Sequence, residues 1–441
     1  MNMNDYQVII IGGRPAGSSL AIRLGRQNIK TLVVDKMNFP SLPAVPSSPI
    51  LYSHHLSMLE DLGISETDAL QAGGRVDSFV ISFVNHFQAV MPVSAGGAKH
   101  PYAFGADRVK MDARFWETAG SYESVTTRSG FSVTGIIKEN GRIVGIKGQT
   151  ERGQEEIIKA DLVVGADGRF SHAAQQFEAA TLEEHNEHIT SSYHAEWENV
   201  ADGVVPNCVT LCNTGKGFAV IVIPIDNRKY IIGTYMRPEH HRTNMRVEDA
   251  YLEGVKSIPE VWERLKNARR VTQVVGVKGI RNGIRQPWGS GWALVGDAFH
   301  YKDPLDGQGI YDAMLESKIL GEEIGLWLTG AKTWDQAGET YGERAIAATK
   351  PMMLQTVGRV KKEIFTDPPM PVIRTLIRWM LNNPEYQRDF LRLLTRSSNP
   401  ADWLSPGVMR RAVLQGIKND VLSLFRRRKV EAPLTVAEQL S

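Results

Sequence analysis

The chain is predicted to fold as an α/β protein, with a parallel-sheet lobe interleaved with a mainly antiparallel β-sheet lobe and followed by a helical C-terminal region. Three observations carry that prediction. The first forty residues run as apolar strand, glycine turn, helix and second apolar strand, the order of a βαβ unit. Between Thr190 and Arg237 the pattern changes to hairpins. Beyond Thr340 the chain reads as helical, with breaks expected at Pro351, Pro368 to Pro371, Pro384, Pro400 and Pro406.

In the opening unit Val8-Ile9-Ile10-Ile11 leads into Gly12-Gly13-Arg14-Pro15-Ala16-Gly17, and Val33-Val34 ends on Asp35. A parallel strand feeding a helix leaves the first N–H groups of that helix unpaired and its dipole directed at the turn. A pyrophosphate can be held there without a cation. Gly12 allows the tight turn and Gly17 the close approach of helix to sheet, so the unit reads as nucleotide-binding, with Asp35 placed for an adenosine ribose. Arg14 takes the middle glycine position of G-x-G-x-x-G. A side chain at positive φ would cost about 1–2 kcal/mol, so an ordinary φ is expected there, with the guanidinium near phosphate. A surface arginine beside a structural turn is the alternative.

The remaining elements follow in order. Phe39 to Pro49 contains four prolines and is expected to be an extended loop. A helix is expected from about His54 to Leu62, a hairpin from Phe79 to Phe83 and Phe87 to Pro92, and a helix from Met111 to Ala119 with Arg108 just ahead of it. Strands over Phe131 to Ile137 and Ile143 to Lys147 precede a buried strand over Ala160 to Val164, which ends in Gly165-Ala166-Asp167-Gly168. The clearest hairpin of the second sheet pairs Gly217 to Ile225 with Tyr230 to Tyr235. Helices near Val247 to Val255 and Pro259 to Lys266 lead to a strand near Val274 to Ile280. Trp292-Ala293-Leu294-Val295 then runs into Gly296-Asp297, and a glycine-rich segment through Ile310 opens a long helix to Leu328.

Composition is that of an ordinary soluble globular protein, with 42% hydrophobic and 23% charged residues, and 441 residues suffice for two joined lobes and a tail. No basic apolar leader precedes Asp5, and no uncharged apolar run reaches the roughly 18 residues of a membrane span. A cytoplasmic protein is expected. Cys208 and Cys212 are the only cysteines. They point to a reducing compartment and read as core filler on one strand face. No His or Cys cluster has metal-ligand spacing, so no metal is expected. Net charge is +2, yet the stretch from Ser405 to Ser441 alone carries +4.

Three signatures in this order make the chain resemble the FAD-dependent monooxygenase superfamily of the p-hydroxybenzoate hydroxylase fold, related to geranylgeranyl reductases and flavin halogenases. The resemblance covers roughly residues 5 to 330 and implies a Rossmann-like FAD-binding domain in three pieces, 1–75, 105–185 and 280–335. A β-sheet substrate domain would occupy 76–104 and 186–279, and 336–441 would form the helical C-terminal region. By the same resemblance Gly12, Arg14, Pro15, Ala16 and Gly17 with Asp35 and Lys36 hold the ADP half of FAD, and Arg108 reaches the nucleotide's polar middle. Val133 meets the adenine, Asp167 belongs to a motif tied to FAD and transient NAD(P)H binding, and Asp297 bonds the ribityl chain. Pro304, Gly307, Gln308, Gly309 and Ile310 lie beneath the flavin ring, where N–H groups at a helix start stabilise negative charge on the reduced ring. Tyr311 stands where many relatives have Asn. Halogenases carry Trp-x-Trp-x-Ile-Pro; here Phe218-Ala219-Val220-Ile221-Val222-Ile223-Pro224 lacks both tryptophans, which disfavours halogenation.

The implied activity is hydroxylation or epoxidation of a hydrophobic, aromatic or polycyclic small molecule by molecular oxygen through a flavin C4a-hydroperoxide, with NAD(P)H as reductant. Because the cofactor carries the hard step, no triad is expected. His300, Tyr301 and Asp306, near the flavin segment in sequence, and His194 or Arg281 in the second lobe are the candidates for catalysis. For His300 a cap or core role is the alternative. Tyr193, Trp197, Phe218, Tyr230 and Tyr235 suit a substrate cavity, and core packing explains them equally well. Reduction of an isoprenoid double bond is the second enzymatic reading, and a non-catalytic flavin-binding interaction protein is the third. From Pro406 to Lys429, Met409, Val413, Ile417, Val421 and Leu424 recur at helical spacing before Phe425-Arg426-Arg427-Arg428-Lys429. Peripheral contact of 406–429 with the inner face of a membrane and packing on the protein's own body are both open readings; nucleic-acid binding is not expected.

Overall fold

The computed structural model describes residues 5–43, 48–240, 245–401 and 403–430, so Ala44 to Ser47 of the proline-rich stretch lie outside the described residues. Strand Tyr6–Ile11 is buried from Val8 onward and runs parallel to Thr31–Val34 on one side and Glu155–Gly165 on the other. Strands with no polar face need cover on both sides, the setting of a parallel sheet. The sheet extends to Val125–Arg128 at one edge and, through Trp292–Leu294, to the antiparallel strand Trp288–Gly289 at the other. The antiparallel hairpin Phe131–Glu139 and Arg142–Thr150 is joined to Glu155–Gly165. Helices Pro15–Arg26 and Gly309–Leu328 pack against each other, with Ser317 Oγ donating to the Ala16 carbonyl at 2.8 Å and Gln27 Nε2 to the Gly321 carbonyl at 3.1 Å.

The second sheet runs antiparallel through Thr190–Glu198, Lys229–Met236, Phe218–Asp226 and Cys208–Asn213, and Val275–Ile280 pairs with Thr190–Glu198. Ser78–Phe83 joins Cys208–Asn213 in parallel and turns back as Phe87–Pro92. A hairpin from early in the chain thus completes a sheet whose other strands lie more than a hundred residues later, the interleaving expected from sequence. Cys208 and Cys212 are free and buried, four residues apart on one strand.

The helical C-terminal region corrects one expectation. Trp334–Glu363 runs as a single helix of 30 residues straight through Pro351. Pro351 is exposed, whereas Thr349, Met352, Met353 and Thr356 are buried, so packing of the inward face outweighs the lost hydrogen bond. The other prolines act as expected: the helix has ended before Pro368, Pro384 starts Pro384–Leu394, and Pro406 starts Pro406–Val430.

Pro351→Ala restores the N–H that would pair with the Ala347 carbonyl. It should stabilise the protein by about 1–3 kcal/mol, seen as a higher urea midpoint at unchanged m value. An unchanged midpoint would show that the helix already satisfies that carbonyl by other means.

Candidate functional site

A cavity of about 500 Å³ runs from the opening glycine turn to the start of helix Gly309–Leu328. Gly12 has φ +107°, and a Cβ there would lie 2.5 Å from the Ala166 carbonyl oxygen; one on Gly17 would lie 1.8 Å from that of Gly12. Only hydrogen fits in either place, so helix Pro15–Arg26 begins in contact with the strand that feeds it. Pro15 and Ala16 line the cavity, no side chain caps the helix, and its first turn holds no acid. The positive end of the helix dipole is left to an anion.

Arg14 has φ −83° and ψ −171°, the ordinary backbone expected for it. Its guanidinium donates to Asp112 at 2.6 Å, to the carbonyl oxygens of Ser41 and Leu42 at 3.2 and 2.8 Å, and to Ser41 Oγ at 3.1 Å. The arginine in the glycine position therefore ties the proline-rich loop to the turn. Asp112, whose side chain is fully buried, also receives Arg108 at 2.8 and 2.9 Å. Arg14 and Arg108 both line the cavity, and two guanidinium groups on one carboxylate leave its wall net positive.

Asp35 accepts from the Gly13 N–H and the Met37 N–H, each at 2.8 Å, through different oxygens, and each oxygen keeps a lone pair. Lys36 and Val133 line the same end. Asp167 also lines the cavity but caps helix His172–Gln176, accepting from the His172 and Ala173 N–H groups at 2.7 and 3.0 Å and from Ser171 Oγ.

The other end is walled by Asp297, Pro304, Gly307, Gly309 and Ile310. The Asp297 side chain is 35% accessible, into a cavity deep in the protein; burial raises its carboxyl, opposed by Arg169 at 3.5 Å and by Lys302. Lys302 lines this end with its Nζ on Asp312, and Asp312 also takes Arg396 at 2.6 Å. Burial alone would raise Asp312, but Arg396 and Lys302 hold it down at about 2. Asp303 accepts from Thr190 Oγ1 and from the Tyr235 hydroxyl, both at 2.5 Å. A Cβ on Gly309 would have Asp297 Oδ1, 3.8 Å away, as its only neighbour, so it would project into the cavity.

The residues present fit FAD. A ribose acceptor, an uncapped helix start with two arginines, a buried acid and a glycine turn follow one another along one cavity, in the order of the molecule's ribose, pyrophosphate, ribityl chain and ring.

A second hollow of about 300 Å³ adjoins the first, sharing Pro43 and Arg108 with it. Ser192, which lines the first, and His194 and Glu196, which line the second, lie two residues apart on one strand and hence on one face. Val277 and Val275 continue that face on the paired strand. His194 Nε2 and Ser192 Oγ are 2.8 Å apart.

Several expected residues stand elsewhere. Gln308 does not line the cavity; its Nε2 donates to the Leu394 carbonyl at 2.9 Å and its Oε1 accepts from Arg396 at 3.0 Å. Asp306 pairs with Arg359 and accepts from Thr356 at 2.6 Å. His300 is buried against Glu316, 3.4 Å away, and the Tyr301 hydroxyl donates to Glu184 at 3.1 Å. None of the three lines the cavity. Arg281 is exposed and lines neither hollow; its carbonyl accepts from Arg169 at 2.9 Å. Tyr193 and Trp197 are core residues with Phe218 and Tyr230 packed against them, and none of the five aromatics lines either hollow. Sequence reasoning missed Lys302, Asp303, Arg169 and the acids behind the cations; of these, only Asp112 carried a readable signal, four residues after Arg108 on one helix.

The family model described as "FAD binding domain" matches residues 5–355. The chain is 26% identical to a digeranylgeranylglycerophospholipid reductase of Methanocella arvoryzae over 325 residues, 73% of this chain and 78% of that one. It is 22% identical to an uncharacterized aromatic compound monooxygenase of Bacillus subtilis over 408 residues, 88% of this chain and 74% of the relative. The solved structure of a flavin-dependent brominase superposes with a TM-score of 0.75 at 20% identity, covering 94% of this chain and 99% of its own.

Three histidines, His55 and His300 buried and His54 half-buried, give the stability of the fold a pH dependence. Burial, with Arg396 and Lys302 adding to it, holds His55 and His300 at about 3 and His54 well below its ordinary value. All three stay neutral in the fold but take up protons in the unfolded chain below about pH 6.5. Stability is therefore lost as pH falls from about 6.5 toward 3, by about 1.4 kcal/mol per pH unit for each histidine at full slope. Urea denaturation across this window should show His300→Gln with the shallower dependence. An equal slope would mean that His300 is protonated in the fold, with Glu316 as its partner.

Proposed function

The chain belongs to the FAD-binding-domain family of flavin-dependent oxidoreductases, and on that premise we propose that it is an NAD(P)H-dependent monooxygenase of a hydrophobic, aromatic or polycyclic small molecule. The supporting observation is the second hollow: the sheet face that carries Ser192 and Val277 in the cavity continues through Val275 and Ile231, and Val271 and the loop residue Leu42 complete largely apolar walls beside the place a reactive ring would take. FAD, when bound, supplies hydride acceptance and oxygen activation. The chain's own residues bind, orient and exclude water. Arg14, Arg108 and the start of helix Pro15–Arg26 hold the pyrophosphate, Asp35 the ribose and Asp297 the ribityl hydroxyls. The glycine turn and Lys302 set positive potential beneath the ring. His194, between the two hollows, replaces His300, Tyr301 and Asp306 as the group suited to take a phenolic proton. The absence of Trp-x-Trp-x-Ile-Pro argues against halogenation.

Similarity to the reductase named above favours a second reading, reduction of an isoprenoid double bond. Anaerobic titration of the purified holoprotein with NADH and NADPH, followed by oxygen and a panel of phenolic and isoprenoid substrates, separates the two. Oxygen uptake matched to nicotinamide oxidation, with an oxygenated product, is expected. Product formed without oxygen would establish the reductase, and a halogenated product on adding bromide would overturn both. Asp297→Ala should weaken FAD retention at least about tenfold, or 1.4 kcal/mol, read as flavin lost on gel filtration; full retention would remove Asp297 from the site.

A further inference from the structure

Helix Pro406–Val430 is held to the body along one narrow strip. Val408 and Ala412 are buried, and at Gly416 a Cβ would lie 2.1 Å from the Trp379 indole. This strip is not the stripe the sequence singles out. Met409, Ile417 and Val421 of that stripe lie outside, together with Leu414 and Leu422, each 42–56% exposed. Val413 is half-buried, and the side chains of residues 424–430, Leu424 among them, lie outside the described residues. A scattered exposed leucine is ordinary, but Leu414, Ile417 and Val421 fall within about 60° of one another around the helix and form an exposed apolar patch, with Met409 and Leu422 at its two edges.

Charge on this outer side has one sign. Arg410 and Lys418 are exposed, and Arg411 reaches Glu385 at 2.7 Å. The helix's one acid, Asp420, is drawn to the body, accepting from Trp379 Nε1 at 2.9 Å and Arg378 at 2.5 Å. The sequence of the helix then runs into Arg426, Arg427, Arg428 and Lys429. Apolar side chains mixed with cations match the interface of an anionic bilayer, where the former enter the acyl boundary and the latter reach lipid phosphates. A second copy of the same helix would set cations against cations. We propose that helix Pro406–Val430 is a docking element that lies flat on an anionic phospholipid membrane. The inference stands on the helix alone and not on the reaction proposed above.

The test uses the full-length, FAD-loaded protein sedimented with vesicles of phosphatidylcholine alone or mixed with phosphatidylglycerol. Binding to the mixed vesicles only, weakening as salt is raised, is expected. The double variant Ile417→Glu with Val421→Glu should reduce it at least about tenfold, and Arg410→Glu with Lys418→Glu should do the same. Unchanged FAD content and thermal midpoint would show that both variants keep the fold. Failure to bind anionic vesicles, equal binding to both compositions, or unaltered binding by the variants would overturn the proposal. So would a dimer in light scattering that Ile417→Glu with Val421→Glu dissolves, which would assign the face to a second copy.

Discussion

Cations on the wall of a dehydrated cavity need an anion behind them, and the structure meets that need with buried carboxylates that each hold two. Asp112 carries Arg14 and Arg108; Asp312 carries Lys302 and Arg396. A buried charge without a partner is far more costly than either pair. Pairing two cations with one acid satisfies the acid and leaves a positive remainder; Arg14 and Arg108 at the first place and Lys302 at the second line the cavity. The partners come from the glycine turn, a helix of the first lobe, the flavin-side segment and the C-terminal region, so distant parts of the chain meet at these carboxylates. Asp306 is held differently, by one cation, Arg359, and by the Thr356 hydroxyl.

The parallel sheet, its glycine turn and most of the segments that line the cavity were legible because they rest on local rules: apolar runs, positive φ, helix starts. Side-chain direction was not. In the short turn Pro304–Asp306 and the residues after it, Pro304, Gly307 and Gly309 face the cavity while Asp306 and Gln308 face the C-terminal helices, and no periodicity distinguishes them. The pairs Arg14–Asp112 and Arg396–Asp312 span 98 and 84 residues, beyond any spacing rule. Arg108–Asp112 was within one. Helix Trp334–Glu363 shows tertiary packing overriding a local signal at Pro351. The last helix shows the converse limit: the helix was legible, but the strip that turns inward, Val408, Ala412 and Gly416 against Trp379, is not the apolar stripe singled out in the sequence.

The acids described at the site are engaged by cations, hydroxyl groups or backbone N–H groups, and burial keeps His55 and His300 neutral. The second hollow is bounded by a sheet face that carries His194 and by the proline-rich loop that Arg14 secures.

Arg396 follows the end of helix Pro384–Leu394 with φ +55°, in the hydrogen-bond pattern that usually selects glycine: its N–H donates to the Leu393 carbonyl and that of Ser397 to the Arg392 carbonyl. A side chain tolerated there at some conformational cost is one whose reach matters, and this one reaches Asp312 and Gln308 beside the cofactor turn. The C-terminal helices are thereby not an appendage that could be exchanged between relatives as a module. A chimera joining this cofactor lobe to another protein's tail would inherit an acid with one of its two counterions missing, and the two halves would have to be co-selected to restore it.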